Sequence, residues 1–199
     1  MKVICLTGGL ASGKSTAVRY LSDKGAAVID ADILGHRAYD PGTDAFESVI
    51  NTFGEETRGE DGQINRKVLG GKVFGKPEEL KKLTDIVWPE IRRLAEQEIA
   101  SIARSDPDAV VILEAAVLFE AGWEDIGEEI WVVVTNRETA IERSMARDGA
   151  TREAVESRLD AQLTNDERTV KADIVITNNS AEQEMCLQLD AAWTSSTGR

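Results

Sequence analysis

The chain has 199 residues, 42% apolar and 30% charged, with 16 Gly and 4 Pro, which suits one globular domain with an inserted lobe and excludes a disordered or collagen-like chain. Its 36 acidic against 23 basic residues give a net charge of −13, which disfavours general nucleic-acid binding. The longest apolar stretches, 109–113 and 130–134, fall far short of the roughly 20 residues of a membrane span, so no membrane partner is expected.

Apolar runs at 2–7, 27–30, 109–114, 129–135 and 172–177 are short, rich in Val and Ile, and continuous rather than alternating, as in strands buried on both faces of a parallel sheet. Between them, 13–23, 45–53, 77–104, 138–147, 152–163 and 181–192 space their apolar residues three or four apart, the helical period. The alternation predicts an α/β protein with a five-stranded parallel sheet and helices on both faces. Residues 31–107 are too long for one crossover and should form a mostly helical subdomain. Residues 138–171 form a second helical insertion, leaving 1–30, 108–137 and 172–199 as the core. Trp131 reads as core, Trp193 as the anchor of the last helix, and 194–199 as a frayed tail. Cys5 and Cys186 are too few for a disulfide framework and read as buried free thiols. Free thiols of this kind lead to the expectation of a cytoplasmic protein, and no presequence pattern is recognised before Val3.

After the first strand, Gly8-Gly9-Leu10-Ala11-Ser12-Gly13-Lys14-Ser15-Thr16 fits G-x-x-x-x-G-K-[ST], the phosphate loop of ATP-binding proteins. Glycines let backbone N–H groups turn in around phosphate oxygens, and the following helix adds its positive end. Gly9 through Thr16 are therefore the nucleotide-binding candidates. Lys14 would neutralise the β- and γ-phosphates, and Ser15 would present its hydroxyl to Mg²⁺. No guanine-reading motif or transporter signature accompanies the loop, and two insertions flank the sheet, which favours a small-molecule kinase.

The second strand ends in Asp30-Ala31-Asp32, and ligands of open α/β sheets bind outside the carboxyl ends of strands. Asp32 is the candidate base for an acceptor hydroxyl. Asp30 could hold a magnesium-bound water, and the competing reading is that both acids cap the next helix. Glu114 ends the third strand and Glu120 follows it; a strand-end acid here could bind Mg²⁺ through water or contact the substrate, with a solvated helix-end charge as the alternative for Glu120.

These residues resemble the dephospho-coenzyme A kinase family from Val3 to Asn178. The resemblance is carried by the phosphate loop, by Asp30-Ala31-Asp32, by Asn65-Arg66-Lys67-Val68-Leu69 with Val73-Phe74, by Glu114 and Glu120, by Arg147-Asp148, by Gln162, and by Ala172-Asp173-Ile174-Val175-Ile176-Thr177-Asn178. His36-Arg37-Ala38-Tyr39, Thr84-Asp85-Ile86-Val87-Trp88-Pro89 and Glu120-Ala121-Gly122-Trp123 are more similar still to the kinase domain of the animal bifunctional coenzyme A synthase, and the chain leaves no room for a second enzyme. The resemblance implies a P-loop NTPase fold, a helical coenzyme-A-binding subdomain over 31–107 and a lid over 138–171.

It also implies ATP- and Mg²⁺-dependent phosphorylation of the ribose 3′-hydroxyl of dephospho-coenzyme A, by a monomer or small homo-oligomer. Asp32, Lys14 and Arg147 would carry the chemistry. Arg143 and Arg147, four apart on one helix face, and Arg168 would bind nucleotide phosphate, and Asn178 would approach the adenine. For the arginine pair the alternative is a solvated helix with Glu–Arg pairs, and for Asn178 a plain turn residue. His36, Arg66, Trp88, Glu114 and Glu120 would face the acceptor, although His36 also reads as a surface histidine and Trp88 as packing. Bacterial members usually carry His-Pro where this chain has Trp88-Pro89 and Asp where it has Glu114, so any role of that histidine is lost here. The rival readings are a kinase of another small acceptor or nucleoside monophosphate, and a non-catalytic ATP-binding switch or scaffold.

Overall fold

A computed structural model describes residues 1–198. The elements run β1 (Lys2–Gly8), α1 (Lys14–Asp23), β2 (Ala27–Asp30), α2 (Ala31–Arg37), α3 (Asp44–Phe53), a 3₁₀ turn (Glu55–Thr57), α4 (Arg66–Val73), α5 (Pro77–Ser105), β3 (Val110–Glu114), β4 (Glu129–Val134), α6 (Arg137–Asp148), α7 (Arg152–Asp160), α8 (Asn165–Thr169), β5 (Ile174–Thr177) and α9 (Glu182–Thr197). The five strands form one parallel sheet in the order β2-β3-β1-β4-β5, the expected α/β class with a P-loop fold. β1 is central. Leu6 pairs in register with Glu114 and Gly8 with Val133, so the ends of β3 and β4 flank the segment that follows β1.

The chain divides into two compact units, residues 1–29 with 99 onward, and Asp30–Glu98. In the first, Ile4, Leu6, Ile112, Trp131, Val133 and Ile176 of the sheet pack with Ala17 and Leu21 of α1 and Leu189 and Trp193 of α9. Trp131 is wholly buried and its indole N–H donates to Glu129 at 3.0 Å, which satisfies the one polar group such a residue brings inside. In the second unit, α3 buries Ala45, Phe46, Val49, Ile50 and Phe53 along one stripe, and the Thr43 hydroxyl caps it by accepting the Phe46 N–H. Helix α5 runs unbroken through Pro89.

Four details differ from the sequence expectations. Helices α2, α4 and α8 are too short to show a period. The helix expected over 152–163 ends at Asp160, because Thr164 opens a capping box with Glu167 that starts α8. The frayed tail is instead a continuation of α9 to Thr197, held by the Ser196 hydroxyl on Glu129 at 2.5 Å; Arg199 lies outside the described residues. Cys5 is buried, with its thiol pushed up to about 11 by that burial, but Cys186 is only half-buried.

Candidate functional site

The segment from Gly8 to Gly13 folds back at the carboxyl end of β1. The Ser12 N–H donates to the Gly9 carbonyl at 3.2 Å, and the Thr16 and Ala17 N–H groups both reach the Gly13 carbonyl at 3.1 Å. Two glycines are sterically required. A Cβ on Gly8 would lie 2.3 Å from the Val133 carbonyl oxygen, and one on Gly13, whose φ is +100°, would lie 2.2 Å from the Asn178 side-chain nitrogen. Lys14 and Ser15 open α1. The Lys14 ammonium donates to the Gly8 carbonyl at 3.1 Å, and Ser15 is exposed. A cavity of about 320 Å³ is bounded by Ala11–Thr16 on one side and by Arg143 and Arg147 on the other. It therefore combines a helix N-terminus, backbone donors and three cationic side chains, which suits a polyphosphate.

Arg143 and Arg147 stand one turn apart on α6 and differ in their partners. Arg143 donates to the Asn178 carbonyl at 3.0 Å and to its side-chain oxygen at 3.4 Å. The Asn178 amide in turn donates to the Ser12 carbonyl at 2.8 Å, and Asn178 is buried. Both ends of this side chain are thus engaged within the protein, one on the loop and one on α6. Arg147 is exposed and grips Asp148 through two bonds of 2.7 and 2.9 Å, which hold the Asp148 carboxyl below its ordinary range. A neighbouring cavity of about 220 Å³ is lined by Ala11, Gly13, Arg143, Asn178 and Met185.

Arg168 lies apart from this pair. It lines a third cavity, of about 310 Å³, with Gly9, Leu10, Thr135 and Gln162. The Leu10 N–H donates to the Gln162 side-chain oxygen at 3.0 Å, and Asn165 donates to the Thr135 carbonyl at 2.8 Å. Glu120 stands 4.0 Å from Arg168, and Glu114 is half-buried at the end of β3. Ser12 borders both this cavity and the one over Lys14. Its hydroxyl and that of Thr7 are buried without a hydrogen-bond partner.

In the second unit, Asp30 and Asp32 separate cleanly. The Asp30 carboxylate accepts the Asp32 and Ile33 N–H groups at 2.8 and 3.1 Å, capping α2. Asp32 is exposed in the first turn, on the same helix face as His36 one turn later. Arg66 donates to the His36 carbonyl at 3.2 Å and lies 5.8 Å from the Tyr39 ring centre, so Asp32, His36 and Arg66 share a neighbourhood. Trp88 is half-buried on α5. No helix among the described residues is long and apolar enough to cross a membrane.

The sequence model of a family described as Dephospho-CoA kinase matches residues 2–184. The chain belongs to the dephospho-CoA kinase family. Among its relatives, the dephospho-CoA kinase of Geobacter sulfurreducens is 44% identical over 193 residues, covering 97% of this chain and 98% of that one. The solved structure of TT1252 from Thermus thermophilus superposes with a TM-score of 0.82 at 34% identity, covering 98% and 96% of the two chains. The dephospho-CoA kinase of Campylobacter jejuni superposes at 0.74 and 27% identity, covering 98% of each.

Sequence reasoning gave no role to Thr135, Gln162 or Asn165. Thr135 was findable, because it follows a strand adjacent to β1 and strand ends line the ligand crevice. Gln162 stood in the family pattern, but its bond to Leu10 spans 152 residues and has no local signature.

Proposed function

We propose that this chain transfers the γ-phosphoryl group of ATP to the ribose 3′-hydroxyl of dephospho-coenzyme A in the cytoplasm. The observation that carries the proposal is the meeting of Lys14, Arg143 and Arg147 with the loop backbone on one cavity, in a chain of this kinase family. The triphosphate lies against Gly9–Thr16, and the base enters the adjoining cavity at Arg143 and Asn178. Residues 31–107 bind the acceptor, with His36, Arg66, Trp88, Glu114 and Glu120 as contacts, and 138–171 act as the lid.

Magnesium fits this arrangement. Among the described residues no three His, Cys, Asp or Glu side chains group to hold a metal, so the protein donor is the exposed Ser15 hydroxyl, with phosphate oxygens and water beside it. When bound, the ion supplies positive charge to the β- and γ-phosphates.

The transfer forms a bond between the 3′-oxygen and the γ-phosphorus and breaks the γ-phosphorus bond to the β–γ bridging oxygen, releasing ADP. Asp32 takes the hydroxyl proton, since its carboxylate is exposed while that of Asp30 is occupied as a cap. Lys14, Arg143 and Arg147 stabilise charge on the phosphoryl oxygens. Neither rival, a kinase of another acceptor nor a non-catalytic ATP-binding scaffold, draws support from the family.

The test is ADP release with ATP and Mg²⁺, comparing dephospho-coenzyme A, AMP, adenosine and no acceptor. Turnover specific to dephospho-coenzyme A is expected; none with any acceptor, despite ATP binding, would refute the proposal. Asp32→Asn should lower kcat by about 10²-fold while ATP binding persists, within the usual range for a proton acceptor.

A further inference from the structure

The cavity behind the loop contains an inversion of the ordinary rule for charges. Arg168 is only 3% exposed, yet its nearest carboxylate, Glu120, is 4.0 Å away. One guanidinium nitrogen donates to the Leu163 carbonyl, and Nε is buried with no hydrogen-bond partner. Arg137, on the same cavity wall and more than half exposed, is paired with Asp160 at 2.8 Å. Desolvation penalises a buried charge far more than an exposed one, so the buried guanidinium should be the better paired of the two. Burial also draws the Arg168 guanidinium below its ordinary pKa.

The surroundings are built for an anion. A Cβ built on Gly9 would lie 3.4 Å from the guanidinium, so the cation reaches to van der Waals distance of the loop. Gln162, Thr135 and Asn165 place polar groups on the same wall, and about 310 Å³ leaves room for a diphosphate. The cations over Lys14 lie in a separate cavity, where they serve the triphosphate of the nucleotide.

We infer that the cavity between Gly9 and Arg168 is a second anion site, which receives the diphosphate of the acceptor, with Arg168 as its counter-charge and Gln162 at its edge. This deepens the function proposed above and rests on it for the identity of the ligand. It makes Arg168 a determinant of acceptor affinity rather than a nucleotide ligand.

The test titrates inorganic pyrophosphate, at fixed free Mg²⁺, into the protein saturated with a non-hydrolysable ATP analogue. One site is expected, displaced by dephospho-coenzyme A. Gln162→Glu keeps an oxygen for the Leu10 N–H but adds a negative charge at the cavity edge. Gln162 is exposed, so this variant should fold. It should weaken pyrophosphate about tenfold and raise the acceptor KM by a similar factor, with the ATP KM unchanged within about twofold. Arg168→Lys, with its melting midpoint recorded, should act in the same direction.

Absence of pyrophosphate binding to the nucleotide-filled protein would overturn the inference, as would unaltered affinity in Gln162→Glu. Binding with ADP in place but not with the triphosphate analogue would assign the cavity to the transferring phosphoryl group and overturn it equally. If the wild type fails to turn over dephospho-coenzyme A, the proposed function falls, while the pyrophosphate titration still decides whether the cavity is an anion site.

Discussion

The phosphate loop is flanked by cations of two kinds. On the α1 side, Arg143 and Arg147 are half-buried and exposed, and each makes two hydrogen bonds to protein acceptors. On the α8 side, Arg168 is buried, makes one bond to a carbonyl, and keeps its carboxylate at 4.0 Å. An exposed cation can exchange a protein partner for a phosphate at small cost, because water screens both states. A buried one cannot, and its position is set before any ligand arrives. On the proposed assignment, the nucleotide side is organised for exchange and the far side for a fixed counter-charge, which is the form of preorganisation that lowers the cost of ordering a bound anion.

The comparison is broken most severely at Lys14. Lys14→Ala should reduce kcat/KM by about 10³-fold, the scale seen when one donor to transition-state charge is removed. Pyrophosphate binding behind the loop should survive, and its parallel loss in a titration would show that the two cavities are one site. Next is Arg147, whose removal should cost about 10²-fold in kcat, measured at saturating ATP. That variant also reads a pH dependence. Asp148 has a folded pKa below its unfolded value, chiefly through Arg147, so the pair contributes at neutral pH and its contribution fades as pH falls through the carboxylate range. Urea midpoints of wild type and Arg147→Ala should therefore differ at about pH 7 and draw together as the pH falls below the ordinary Asp range of about 4.

The nucleotide side was legible in the sequence because its requirements are contiguous. Glycines, lysine and serine occupy nine successive residues, and the apolar runs on either side announce a buried strand and a helix. The roles of Asp30 and Asp32 were left open there, since both suit a cap; only the N–H groups of Asp32 and Ile33 converging on Asp30 separate them. The far side was not legible. Arg168 lies three residues from Lys171, which is half-exposed and pairs with Glu124, and no local pattern tells which of the two cations is buried. Asn178 read as an adenine contact with a plain turn residue as the alternative, and its bond to Ser12 joins positions 166 residues apart.

Asn178 supplies the intermediate test, because it holds the loop from the nucleotide side alone. Asn178→Ala would leave the buried Ser12 carbonyl without its donor and remove the longer of the two Arg143 bonds, while the bond to the residue 178 carbonyl remains. Leaving such a group unsatisfied costs about 1–3 kcal/mol of folding stability, read as a lower urea midpoint, and loosening the loop from this side should raise the ATP KM by about fivefold. The acceptor KM should move far less; an equal rise in both would mean that Asn178 supports the whole loop.

Arg137 gives the smallest effect and the sharpest contrast, since it shares a cavity wall with Arg168 but not its burial. Its ion pair with Asp160 is 2.8 Å long, yet both side chains are more than half exposed. Such pairs contribute about 0–1 kcal/mol after screening and side-chain ordering. Arg137→Ala should therefore shift the urea midpoint little and change the acceptor KM by no more than about twofold. If the cavity drew its anion affinity from general positive charge, removing either arginine would weaken acceptor binding alike. A response confined to Arg168 and the neighbouring Gln162 instead ties the affinity to the one cation that the fold has taken out of water without pairing it closely.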